Sequence, residues 1–138
     1  MYNKEAKGYT FTENFFSDMG AYAARNGDPN YLSMIFFSLS LTIVGVTFIL
    51  YYLTIPSLFR SDRLSYFISL LGSLFAIAGS LCLIGTGLTP SDLVLESHKF
   101  FANNIFYSFL FTSFFYTYLI FNSHTIKKRY ALGYLFFF

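Results

Sequence analysis

The chain has 138 residues, of which 55% are hydrophobic, 23% aromatic and only 12% charged, with a formal net charge of +2. An average soluble domain carries about 25% charged residues; this deficit, with a mean hydropathy of +0.53, excludes an ordinary water-facing surface and points to lipid as the solvent. The small net charge and the lack of a basic run interleaved with aromatics exclude a nucleic-acid binder, and the single cysteine, Cys82, forms no intrachain disulfide and reads as an inert thiol in the apolar run SLCLIG.

Residues 1–30 form a polar and aromatic lead segment without the apolar core of a secretory signal, and no lipidation motif stands at either end. Within it, Ser17 to Arg25 reads as a short helix: Ser17 as its cap, Asp18 at the positive end and Gly27 as its stop. Asp28-Pro29 then repeats a helix-start signal, with Asp as cap and Pro in the first turn.

Residues 31–55 contain no charge across 25 positions. A span needs about 20 apolar residues for a ~30 Å hydrocarbon core, so this stretch crosses with tilt to spare. Tyr31 at one end and Tyr51-Tyr52 at the other suit the interfacial aromatic belts, and Pro56 ends the helix. After a polar turn at 57–63, a second span covers 64–88. Gly72, Ala76 and Ser80 recur on it every four residues, with Gly79 beside them. Such small residues let helix backbones approach closely in lipid, either in packing within the chain or in dimerisation through the same face.

Thr89-Pro90-Ser91-Asp92 reads as another helix start, with Thr89 as cap, Pro90 in the first position and Asp92 as the capping-box acid. That helix is expected to begin on the membrane surface and to continue into a third span, 100–121. Asn104, Ser108, Thr112 and Tyr116 make a polar stripe along it at four-residue steps, which must face other helices or a wet cavity. His124 falls in the following turn, with Lys127-Lys128-Arg129. Residues 130–138 are apolar again but too short to cross at ~1.5 Å per residue. They read as the start of a fourth span, so the chain is expected to be a fragment. The predicted fold is therefore all-α: an integral membrane helical bundle with three complete transmembrane helices and the start of a fourth.

Arg60, Arg63, Lys127, Lys128 and Arg129 share the turns at 57–63 and 122–129 with one acid, Asp62. The positive-inside rule makes these turns cytoplasmic and puts the lead segment and the 89–99 loop outside, in the cell membrane. A lead segment outside, with no signal of its own, is expected to follow an upstream helix.

The outer side then collects Ser17, Asp18, Ser91, Asp92, Glu96 and His98, the ingredients of a general acid/base site. Asp18, Asp92 and His98 are the candidate catalytic residues. Each has a structural reading too: a helix cap for Ser17 and Asp18, the capping box for Asp92, a solvated interface for Glu96 and His98. No second histidine stands at metal spacing on that side, so no metal or other cofactor is expected. No nucleotide-binding loop, nucleophile elbow or zinc motif occurs.

Asn14-Phe15-Phe16-Ser17-Asp18-Met19-Gly20, Asn30-Tyr31 at the head of a span, and Gly87-Leu88-Thr89-Pro90-Ser91-Asp92 followed by His98 resemble a group of six-span membrane proteins. That group carries an S-D-L-G sequence in an outer loop and is similar to the damage-regulated autophagy modulator (DRAM-like) proteins and their GPI-remodelling relatives. The matching positions are Ser17, Asp18, Gly20, Pro90, Asp92 and His98; Met19 stands where Leu is usual. The resemblance covers most of 14–121 and implies a helical fold with a family helix before this chain and further spans after it. It implies no particular chemistry.

Two functions follow as expectations. One is a non-catalytic bundle that binds membrane lipid, other membrane helices or a second copy of itself. The other is a membrane-embedded enzyme acting on lipid headgroups or acyl chains at the outer face. A transporter ranks behind both, because the cores of the spans carry no Asp, Glu, Lys or Arg.

Overall fold

A computed structural model describes residues 8–123 and 126–136. Four α-helices are present: α1 (Tyr31–Thr54), α2 (Arg63–Leu88), α3 (Leu95–Asn122) and the short α4 (Ala131–Leu135). Three-residue-per-turn helices at Phe16–Gly20, Ile55–Phe59 and Lys128–Tyr130 join or precede them. The described chain has no β-strand; a single isolated bridge pairs Ala23 with Pro29. The fold is an all-α helical bundle. Three segments, Tyr31–Phe59, Arg63–Leu88 and Leu95–Asn122, are long and apolar enough to cross a membrane. The short α4 lies in the apolar stretch 130–138, and His124 lies outside the described residues.

Packing is alternately up and down. Ser38 near the start of α1 donates to the carbonyl of Gly87 at the end of α2 (2.5 Å). Tyr116 near the end of α3 bonds Ser73 and the Ser69 carbonyl near the start of α2 (2.7 and 3.2 Å). Thus α2 is the central helix. Its small residues explain how it serves two neighbours: a methyl on Gly79 would stand 2.9 Å from Ser108 Cβ of α3. A methyl on Gly45 of α1 would stand 2.8 Å from the Ser80 carbonyl of α2. Gly72, Ala76 and Ser80 are all buried. The expected small-residue stripe is thereby packed within the chain, against α1 and α3.

The polar stripe on α3 faces a helix rather than water. Ser108, Thr112 and Tyr116 are buried, and Thr112 bonds the Ser108 carbonyl of its own helix (2.9 Å). Asn104 departs from the pattern; it is half-buried and bonds back to the Phe100 carbonyl (2.7 Å). Toward the opposite end, Tyr52, Phe59, Ala76, Tyr116 and Leu119 form the core cluster. On α1 only Phe37, Gly45 and Tyr52 are buried, while Leu39, Ile43 and Leu50 are exposed. A narrow buried seam beneath an apolar exterior fits a helix whose solvent is lipid, where backbone polar groups are satisfied within the helix.

Three local expectations are corrected. Pro56 ends the α geometry of α1, but the chain continues as the tighter helix Ile55–Phe59, which buries Phe59. The lead segment forms no helix through Arg25; its helix is the short Phe16–Gly20, after which the chain turns through Gly27 at φ +94°. Finally, Asp28 caps nothing. It bonds the Asn26 side chain (2.7 Å), closing that turn, and Asn30 holds the cap position of α1.

Candidate functional site

The lead segment and the loop between α2 and α3 meet at one end of the bundle. Thr89-Pro90-Ser91-Asp92 is not a helix start. Thr89 ends α2 and donates its hydroxyl to the Gly85 carbonyl (2.7 Å); the Pro90 carbonyl then accepts from the Leu93 and Val94 N–H groups. The next helix begins only at Leu95, with Val94 as its cap. Asp92 is therefore no capping-box acid. Its two oxygens accept from the backbone N–H groups of Tyr22 and Ala23, each at 2.9 Å. A local motif predicts a local bond here, and a contact about seventy residues away in sequence takes its place.

Asp18 is likewise committed. One oxygen accepts the Phe15 N–H (2.9 Å), so Phe15, not Ser17, holds the cap position of the short helix. The other oxygen accepts from Nε and Nη2 of Arg25 (3.1 and 2.8 Å). The Arg25 guanidinium also lies over the Phe15 ring, 5.6 Å from its centroid. Charge-assisted bonds of this kind are stronger than neutral ones, and together they fold the 15–25 stretch upon itself.

His98, on the first turn of α3, is only 6% exposed. Its Nδ1 stands 2.6 Å from the Thr89 carbonyl. A carbonyl only accepts, so Nδ1 carries a proton and donates it to this bond. The bond ties the end of α2 to the beginning of α3.

Gly20 is buried because the Phe37 ring of α1 presses on it; a methyl there would stand 2.3 Å from the ring. Asn30 donates to the Ala21 carbonyl (2.9 Å) and Ser33 to the Met19 carbonyl (2.8 Å). The lead segment is thereby bound down on the bundle. Ser17 and Ser91 are half-buried. Glu96 pairs with Lys99 on the surface (3.2 Å), a contact worth little.

The lead segment encloses a cavity of about 220 Å³ lined by Asp18, Met19, Arg25, Asn26, Asp28 and Asn30 among others. It is built from residues 8–33 and includes neither Asp92 nor His98. No family model, curated protein or solved structure matches this chain. The three candidate catalytic side chains share an end of the molecule, and of the three only Asp18 lines the lead-segment cavity. Among the described residues no group of three or more His, Cys, Asp or Glu side chains is placed to hold a metal ion.

The partners of these side chains are less legible in the sequence than the side chains themselves. Arg25 is the nearest cation downstream of Asp18. The Tyr22 and Ala23 N–H groups and the Thr89 carbonyl leave no mark in side-chain patterns. Asn30 stands in the sequence only as the head of a span.

Proposed function

We propose that this chain is a multi-pass membrane protein acting as a non-catalytic bundle that binds lipid or a membrane partner. It sits in the cell membrane with the lead segment and the 89–94 loop outside and the basic ends cytoplasmic. The resemblance to DRAM-like proteins and their GPI-remodelling relatives belongs to the same proposal. The observation that carries it is the engagement of both carboxylates: Asp18 by Arg25 and the Phe15 N–H, Asp92 by two backbone N–H groups. Each of their carboxylate oxygens accepts at least one bond from within the fold, so structure alone accounts for both acids.

The test is incubation of the protein, reconstituted in phospholipid vesicles that include phosphatidylinositol and a glycosylated derivative of it, with mass spectrometry of the lipids. Unchanged lipids, together with lipids retained on the purified protein, are the expected result. Lipid turnover that disappears in Asp18→Asn would contradict it.

A lipid-modifying enzyme is favoured by one observation. With Nδ1 donating to the Thr89 carbonyl, the lone pair that a His98 base would use falls to Nε2. The same experiment with His98→Gln decides between the two.

A further inference from the structure

Three aromatic side chains of the lead segment find no core. Phe11, Phe15 and Phe16 are 78%, 71% and 57% exposed. They are not scattered singly, as exposed apolar residues often are. The Phe16 ring packs against Phe37 of α1, tilted at 57° with centroids 5.4 Å apart, and between the short helix and α1 runs an apolar groove of about 350 Å³. It is lined by Phe16, Met19, Phe36, Phe37 and Leu41, with Ser33 and Ser40. Phe36, 60% exposed, is at once a wall of this groove and part of the outward face of α1, beside the exposed Leu32, Ile35 and Leu39. The apolar surface of the first span therefore continues onto the lead segment, with Ser33 and Ser40 the two polar residues of the groove's lining. Arg25 lies over one face of the Phe15 ring and gives it a polar neighbour.

We infer that the lead segment is an interfacial membrane anchor: Phe11, Phe15 and Phe16 insert into the leaflet on their own side, and a lipid acyl chain fills the groove between Phe16 and Phe36. The occupant follows from continuity. The surface that the groove extends is the one α1 turns to lipid, and apolar faces lying in an interface seat themselves ~5–10 Å into the boundary between headgroups and chains. Arg25 and Asp18 then sit at headgroup level, where an aromatic ring with a polar neighbour is at home. The inference rests on the membrane embedding of α1 to α3. It deepens the lipid-binding proposal by giving one lipid a place.

The chain contains no Trp, so single tryptophans report without background. Phe15→Trp and Phe16→Trp would be reconstituted in phosphatidylcholine vesicles brominated near either the carbonyl end or the methyl end of one chain. Leu39→Trp, on the exposed face of α1, reports the span itself. The expected result is blue-shifted emission at both lead positions, quenched about two-fold by shallow bromines and less by deep ones, as the interfacial depth requires. Iodide in the water should quench them weakly. Strong iodide quenching of Phe15→Trp with no effect of bromolipid would overturn the anchor. Quenching of Phe15→Trp without Phe16→Trp would overturn the groove as a lipid seat. If Leu39→Trp is quenched by deep bromines throughout, membrane embedding stands whichever way the lead positions fall. Phe15, on the open side of the short helix, keeps the test valid even where Phe16→Trp disturbs the Phe37 contact.

Discussion

Asp92 is the residue on which the end of the bundle depends. Its carboxylate accepts two backbone N–H groups of the lead segment and ties that segment to the 89–94 loop, while Asn30 and Ser33 tie it to α1. Replacing it with Ala removes both charge-assisted bonds; the expected cost is about 1.5–3 kcal/mol, held toward the lower end because the carboxylate is open to water. Limited proteolysis of the reconstituted protein checks this. Asp92→Ala should be cleaved within residues 8–30 much faster than the parent, while α1 to α3 stay intact. Asp62 makes a pH-dependent counterpart at the other end. Hydrogen bonds from the Ser65 hydroxyl and N–H hold its carboxyl below the usual carboxylate range. A depressed pKa stabilises the fold above the unfolded carboxylate's pKa, and that contribution is lost as pH falls through the folded one. Acidification below the ordinary carboxylate range should thus speed hydrogen exchange at the start of α2, and Asp62→Asn should flatten the dependence. Of these two acids, Asp92 is the one that reads as a capping acid in the sequence. Only Asp62 is one, because a cap is chosen by the local chain alone, whereas Asp92 is placed by a turn at Pro90 that delays the next helix to Leu95.

The helices themselves were far more legible. Their lengths follow from uncharged runs that only lipid can solvate, and the small residues of α2 follow from the need for close backbone approach. What sequence spacing left open was which neighbour each small residue meets. Gly79 meets α3 and Gly45 meets the Ser80 carbonyl of α2. A methyl at either position forces a shift, and overpacking typically costs about 1–3 kcal/mol. Gly45→Ala should therefore lower the thermal midpoint in detergent clearly, since backbone is among the atoms it meets. Gly133→Ala, which meets nothing within 4 Å, should not. Tyr116 supplies the polar side of the same packing. Tyr116→Phe breaks its bonds to Ser73 and the Ser69 carbonyl, with an expected loss of about 0.6–2 kcal/mol, the range for hydrogen bonds between helices in a membrane. Equal midpoints for Tyr116→Phe and the parent would show that the stripe on α3 contributes nothing to stability.

At the scale of the whole molecule, the up-and-down order of α1, α2 and α3 forces the lead segment and the 89–94 loop to one end and the 57–63 turn to the other. The bond from Asp92 to the lead segment joins the first two regions directly. Lipid embedding and this two-ended arrangement are the central claim, and cysteine labelling in intact cells tests it most directly. With Cys82→Ala as background, single cysteines replace Ser17 and Ser97 at one end and Ser61 at the other. A membrane-impermeant thiol reagent should label the Ser17 and Ser97 positions, and the Ser61 position only after the cells are opened. Labelling of the Ser61 and Ser97 positions from the same side, or of the Ser17 and Ser97 positions from opposite sides, would contradict the claim.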